Sequence, residues 1–220
     1  MTSFEFRERL AQRVRRAKAH LTINMLDPLE TYFRLLTHWN ATINLTALPV
    51  ETPTDETFDR LLIEPLAAAR HVRDAPDAWV DLGSGGGSPA IPLKIARPAL
   101  KVTMVESKER KAAFLREAVR ELGLKGATVE NGRFEDVARS HRNSGTVRLV
   151  TVRAVRTDAA LFDAAESLLG HEGRLLLFRP AHAATADPDG FARIDTVRLI
   201  DVPATYLIIY RRVFHVEHGR

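Results

Sequence analysis

The spacing of apolar positions divides the chain near residue 75. Before it, apolar residues recur at helical intervals; after it, short apolar runs alternate with helical stretches. Residues 3–20 predict a first helix with a thin apolar stripe of Phe4, Leu10 and Val14. A second helix, with Asn24 or Asp27 as cap and Pro28 in its first turn, carries Leu29, Tyr32, Phe33, Leu35, Leu36 and Trp39 at helical spacing. The segment Trp39 to Thr46 breaks it, because its Asn and Thr side chains bond local backbone and favour turns. Pro49 and Pro53 mark a loop. A third helix, from about Thr54 to Val72, turns Leu61, Leu62, Ile63, Leu66 and Ala69 inward, and Pro65 should kink or split it.

Beyond residue 75 the strand candidates are 78–80, 101–105, 127–130, 147–152 and 174–178. Helical stretches at 90–96, 108–122, a short one opening near 134, and 158–169 separate them, with Gly123 placed to end the second of these. Two further strand-like runs, Phe191 to Asp201 and Thr205 to Phe214, follow with no helix between them. The pattern predicts an α/β domain with a mostly parallel sheet and a terminal antiparallel hairpin. The expected organisation is a helical extension over 1–74, a core over 75–214 and an exposed tail over 215–220.

The stretch that organises the chain is Val80 to Leu93. A buried strand opens into a loop with Gly at 83, 85, 86 and 87 and closes on a helix, with Pro89 tolerated in its first turn. Strand, glycine turn and helix N-terminus is how a parallel sheet builds a nucleotide site. Glycines let backbone approach a ligand, and the helix start offers free N–H groups. Ser88 stands where a dinucleotide fingerprint would have its third glycine, which lowers the nicotinamide reading. Glu106 ends the next strand, where a carboxylate can accept both hydroxyls of a ribose. Asp81, the glycines and Glu106 together resemble the S-adenosylmethionine site of class I (Rossmann-like) methyltransferases, whose seven-stranded sheet also ends in an antiparallel hairpin.

Composition narrows the chemistry. No Cys is present, which removes disulfides, thiolate metal sites and a cysteine nucleophile such as methylation at C5 of a pyrimidine requires. The eight His show no metal-ligand spacing, so no metal is expected. No run of 18 apolar residues and no secretory apolar segment occur, so the expected location is the cytoplasm, away from membranes. The net charge of +4 is concentrated: residues 1–20 hold six basic and two acidic side chains, and the other 200 residues balance at 26 each. A basic arm on a neutral body predicts contact with a polyanion through Arg13, Arg15 and Arg16; a solvated helix face is the alternative.

Three stretches carry a closer resemblance. His38-Trp39-Asn40 with Asn44-Leu45-Thr46, Asp81 to Leu93 including its Ile91-Pro92-Leu93 end, and Val152-Arg153-Ala154 are similar in order and spacing to segments of the small-subunit ribosomal RNA guanine-N7 methyltransferases, the glucose-inhibited division protein B family. The likeness covers roughly residues 22–213. It departs from the family pattern where Leu61 replaces a His, Glu64-Pro65 an Asp-Ser, Ala90 a Gly, and Arg179-Pro180 a Lys-Gly.

The resemblance implies S-adenosylmethionine as cofactor and small-subunit (16S) ribosomal RNA, or the small ribosomal subunit, as partner of a monomeric enzyme. It implies a cofactor set of Asp81, Gly83, Ser84, Gly85, Gly87, Pro89, Glu106, Ser107, Phe134, Glu135 and Arg153. Phe134 and Glu135 would flank and bond the adenine, and Arg179 would meet RNA phosphate. Asn40 and Asn44 would order the loop over the cofactor. Guanine N7 has a free lone pair, so methylating it requires positioning rather than a base. Arg153 is the candidate catalytic residue: an arginine there can fork onto guanine O6 or phosphate, or instead form a salt bridge beside the sheet. The Asp/Asn-Pro-Pro-aromatic motif of amino-directed methylases is absent at this position. A small-molecule methyltransferase and a catalytically silent RNA-binding protein of the same fold remain alternatives.

Overall fold

The computed structural model describes residues 1–140, 146–180 and 187–213. The helices are α1 (Ser3–Arg16), α2 (Ile23–Asn40), α3 (Asp55–Phe58), α4 (Glu64–Ala68), α5 (Ala90–Ala96), α6 (Glu109–Glu121), α7 (Phe134–Ser140) and α8 (Ala159–Leu168). The strands are β1 (Ala78–Leu82), β2 (Lys101–Glu106), β3 (Ala127–Asn131), β4 (Val147–Arg153), β5 (Leu169–Pro180), β6 (Phe191–Asp201) and β7 (Ala204–Arg212). They form one seven-stranded sheet in the order β3-β2-β1-β4-β5-β7-β6. The first five strands are parallel, and β7 and β6 return antiparallel, as the pattern predicts. β5 starts earlier than expected: Leu169 pairs with Val147 and Arg174 with Leu149, and the extra residues are absorbed in an irregularity. The expected strand end at Phe214 and the expected tail over 215–220, with His215 and His218, lie outside the described residues.

Alternate strand residues face two cores, so each parallel strand reads as an apolar run. Trp79, Val102, Met104, Leu149 and Leu176 pack under the N-terminal helices, α5 and α6. Val80, Val105, Val150, Leu175 and Leu177 pack with residues of α7 and α8. The helical segment 1–71 therefore shares its core with one face of the sheet; the boundary expected at residue 74 falls in the link to β1. Among the described residues no helix is long and apolar enough to cross a membrane.

The helical segment departs from expectation at two points and meets it at a third. α1 starts at Ser3 because Thr2 and Glu5 form a reciprocal cap, the Thr2 hydroxyl accepting from Glu5 N at 3.2 Å and the Glu5 carboxylate from Thr2 N at 2.7 Å. That phase turns Phe6 inward and leaves Phe4 76% exposed. Phe6, Phe33 and Phe58 cluster with ring centroids 5.4–5.5 Å apart. α2 begins at Ile23, ahead of both predicted caps, and Pro28 lies inside it; burial of Met25 and Leu29 outweighs the missing N–H. Pro65 does split the third helical run. α3 gives way to a π-helical turn over Asp59–Ile63, then α4, then a 3₁₀ turn over Ala69–His71.

Half of the basic arm is engaged within the protein, Arg13 included. Arg13 is 7% exposed; its Nε donates to Asp59 Oδ1 at 2.8 Å, and its other nitrogens reach Asp59 and Asp55. Arg7 pairs with Asp27 and Glu30, and Arg9 with Asp55. Arg15 and Arg16 are exposed. Removing one member of a buried pair strands the other charge at about 3 kcal/mol, whereas an exposed arginine changes stability by about 0.5 kcal/mol or less. We therefore expect Arg13→Met to lower the urea midpoint sharply and Arg15→Gln to leave it in place. Equal midpoints would mean that the Arg13–Asp59 pair does not anchor α1.

Candidate active site

From β1 the chain crosses to β2 and β3 on one side, then returns to β4 on the other. Reversal of strand order opens a crevice at the carboxyl ends of the strands, where open α/β sheets bind ligands. A cleft of about 700 Å³ lies there. Gly83, Ser84 and Gly85 line it, with Glu106, Ser107 and Phe134 across from them. Gly83 has φ +73°, and a Cβ on it would stand 2.5 Å from Val155 Cγ2. Gly85, at φ +53°, points its N–H to Glu106 Oε2 at 2.9 Å, while Glu106 Oε1 accepts from Lys108 N at 2.8 Å. Each carboxylate oxygen keeps a lone pair beyond these bonds, which is what a ribose diol requires.

Other predicted cofactor residues lie behind this wall. Gly87 accepts from Ile91 N at 2.6 Å at the start of α5, and Pro89 is the residue before that helix, after a cis peptide bond with Ser88. Glu135 is half-buried and faces Arg133 at 3.4 Å, away from the cleft wall. Arg179, at the carboxyl end of β5, donates to Thr157 Oγ1 at 3.1 Å, also outside the wall.

Asp81 is 1% exposed, one layer beneath the glycine loop. Its Oδ1 accepts from Thr151, whose hydroxyl accepts in turn from Trp79 Nε1 at 2.8 Å. Its Oδ2 is buried and has no hydrogen-bond donor. Burial pushes the carboxyl up to about 6, against the opposing pull of its hydrogen bonds and of Arg153. A buried acceptor left without a donor fits a site completed by a cationic ligand.

Arg153 lines the cleft, and its guanidinium is engaged with neighbouring groups of the protein. One terminal nitrogen donates to the Arg60 carbonyl and, at 2.7 Å, to Ser88 Oγ; the other donates to Glu64 Oε2. The guanidinium also lies 5.1 Å from the Phe178 ring centre. The fold thus forms the salt bridge of the alternative reading. Its acceptors arise from Pro65. Glu64 N–H reaches back to Asp59 in the π turn, and Pro65 has no N–H for Arg60 or Leu61. Those two carbonyls take side-chain donors instead: Arg153 on Arg60, and Ser88 Oγ on Leu61 at 2.8 Å. Ala154, next along, has φ +54°, a conformation costly for a residue with a Cβ.

The loop before the core behaves as expected for Asn40. Its Oδ1 accepts from Leu45 N and Thr46 N, both at 2.9 Å, placing these residues on the cleft rim. Sequence reading missed Tyr32, whose hydroxyl donates to the Gly86 carbonyl at 2.7 Å, and the Ser88–Glu64 clamp. It also missed the rim cations Arg60, Lys108 and Lys111. Only the helix break at Pro65 signalled free carbonyls. Among the described residues no cluster of His, Asp or Glu could hold a metal.

Sheet order, glycine loop and Glu106 define a class I methyltransferase. A solved S-adenosylmethionine-dependent methyltransferase from Aquifex aeolicus shares the fold, with a TM-score of 0.55 at 13% identity over 72% of this chain and 94% of that one. The family model described as rRNA small subunit methyltransferase G matches residues 25–187. Ribosomal RNA small subunit methyltransferase G of Roseiflexus sp. (strain RS-1) is 37% identical over 79% of this chain and 72% of its own. That of Xanthomonas axonopodis pv. citri (strain 306) is 37% identical over 84% and 86%. The chain belongs to the rRNA small subunit methyltransferase G family.

S-adenosylmethionine fits this cleft: Glu106 offers acceptors to a diol, the glycines leave room for a close ligand, and the buried Asp81 carboxylate beneath the loop would supply negative charge to a cationic ligand. Asp81 gives a pH test. Its folded value near 6 lies above its ordinary value of 3.8, so the folded state binds more protons between them. Ligand-free stability is then greatest below about pH 4 as far as this group is concerned, and falls by on the order of 3 kcal/mol as pH rises through 6. We expect Asp81→Asn to remove that component of the stability–pH curve. Cofactor affinity of the wild type should rise across the same interval, and a flat affinity would sink the ion-pair role.

Proposed function

We propose that this protein transfers the methyl group of S-adenosylmethionine to N7 of a guanine in small-subunit (16S) ribosomal RNA. Membership of the family carries this reading, and the cleft supports it. The cofactor, when bound, supplies an electrophilic methyl on a sulfonium. Guanine N7 attacks with its own lone pair, so the residues have to orient and exclude water rather than remove a proton. Glu106 would hold the ribose through its free lone pairs. Phe134 would cover an adenine face, and the Gly83–Gly85 backbone would set the depth of the methionine part. Arg60, Lys108 and Lys111 surround the opening, and Arg15, Arg16 and Arg179 extend the basic surface available to RNA phosphates. Arg153 would act by holding the cleft wall. The same reading has the enzyme acting in the cytoplasm as a monomer.

The test is methyl transfer from labelled cofactor to small subunits and naked rRNA from a strain lacking the gene, with the modified base mapped. We expect a single N7-methylguanine. Cofactor binding without transfer would move the acceptor elsewhere, and no cofactor binding would end the proposal. Glu106→Gln, which exchanges one carboxylate oxygen for a donor, should raise the dissociation constant for S-adenosylmethionine about tenfold in calorimetry.

A further inference from the structure

A second cavity, of about 400 Å³, lies at the amino ends of the strands, the opposite edge of the sheet from the cofactor cleft. Arg73, Arg148, Arg174, Arg211 and His71 line it. Two acids are present, and both are taken: Asp77 faces Arg73 at 2.9 Å and Glu172 faces Arg148 at 3.4 Å. Arg174 and Arg211 are left over. They are direct cross-strand partners on β5 and β7, both exposed. Among the described residues neither has a hydrogen-bonded or ion-paired acid. Side chains directly opposite on antiparallel strands have Cβ atoms about 5 Å apart, and like charges there destabilise the pair. The His71 imidazole beside them is held below its usual range chiefly by burial, with Arg70 adding to the effect, Asp195 opposing it and Arg174 adding a smaller part.

We propose that this cavity binds phosphodiester groups of the RNA substrate, anchoring it at the edge of the sheet remote from methyl transfer. The inference rests on the rRNA-methyltransferase reading. Phosphate oxygens accept two parallel N–H bonds from a guanidinium, so adjacent arginines without acids match a bridging anion. A polymer is favoured over a free small anion. Exposed guanidiniums bind one phosphate weakly, but a chain already held at the cleft presents its other phosphates at high effective concentration. β4 carries Arg148 near one end and Arg153 at the other, about 17 Å apart at strand rise. A folded RNA can reach both edges, whereas an oligonucleotide of only two nucleotides bound at the cleft cannot.

The experiment compares wild type with the double variants Arg174→Gln/Arg211→Gln and Arg174→Lys/Arg211→Lys. Binding to full-length 16S rRNA and to an oligonucleotide of two nucleotides carrying the target guanine is measured across a KCl series. For the glutamine variant we expect the logarithmic salt slope for rRNA to fall by about 1 to 2 and KM for rRNA to rise about tenfold. Its kcat, its affinity for S-adenosylmethionine and its oligonucleotide binding should not change. The lysine variant should keep the salt slope. Without RNA the glutamine variant should melt at the same temperature as wild type or higher, since a repulsion is removed. An unchanged slope and KM would overturn the proposal. So would tight binding of pyrophosphate, lost in the glutamine variant with rRNA binding intact, which would assign the cavity to a free anion. If the wild type methylates rRNA and only these differences fail, the far-edge site falls and the enzymatic reading stands. If the wild type neither binds nor methylates rRNA, both fall.

Discussion

The cleft depends on an N–H group that Pro65 does not have. In a regular helix the carbonyls of Arg60 and Leu61 would be closed by N–H groups one turn on. Here the π turn sends Glu64 N–H to Asp59, and proline has nothing to donate. Buried carbonyls without donors are costly, so they recruit side chains from elsewhere in the chain. Ser88 comes from the glycine loop and Arg153 from the end of β4. Glu64 then balances the arginine that the carbonyls attracted. One break in a helix thus joins three segments far apart in sequence, and the wall of the cofactor cleft is their junction. Ala154, the residue after Arg153, sits in that wall at positive φ.

This explains why the departures at Leu61, Glu64 and Pro65 form a coherent set. Leu61 is buried and supplies its carbonyl, not its side chain, to Ser88. Glu64 is 2% exposed and gives one carboxylate oxygen to Arg153, while Arg60 stands 3.6 Å from the other. A buried carboxylate between two guanidiniums is tolerated because its charge is compensated on both sides.

Much of the fold was legible because it is written in local periodicity. Each parallel strand is buried on both faces and therefore appears as an apolar run, and the glycine loop and Glu106 are neighbours in space as well as nearly so in sequence. The errors lie where long-range contacts prevailed. Phe4 and Phe6 are equally apolar, and only the Thr2–Glu5 cap fixes which faces inward. Pro28 is tolerated inside α2 because the helix is held by its apolar face. Arg13 reads as part of a solvated basic face, yet Asp55 and Asp59, more than 40 residues away, draw it into the interior. The site divides in the same way. Residues on the glycine loop and β2 were visible, but Tyr32, Glu64 and the orientation of Arg153 depend on contacts spanning 54 to 93 residues, which no local pattern encodes.

The two edges of the sheet treat positive charge in opposite ways. At the carboxyl edge, the two terminal nitrogens of Arg153 are held by a carboxylate, a carbonyl and a hydroxyl, so its charge is balanced by Glu64 and its position fixed, with only Nε left without a partner among the described residues. That suits a reaction in which the base attacks unaided and geometry limits the rate. At the amino edge, Arg174 and Arg211 face each other across β5 and β7 without an acid, a local conflict in an otherwise consistent sheet. Conflicts that survive in a folded protein concentrate where function requires them. A fixed guanidinium gives precision to a small ligand, whereas uncompensated ones give attraction to a large one. A methyltransferase that must place one purine from a long polyanion needs both, and this sheet keeps them on separate edges so that the attraction does not disturb the geometry.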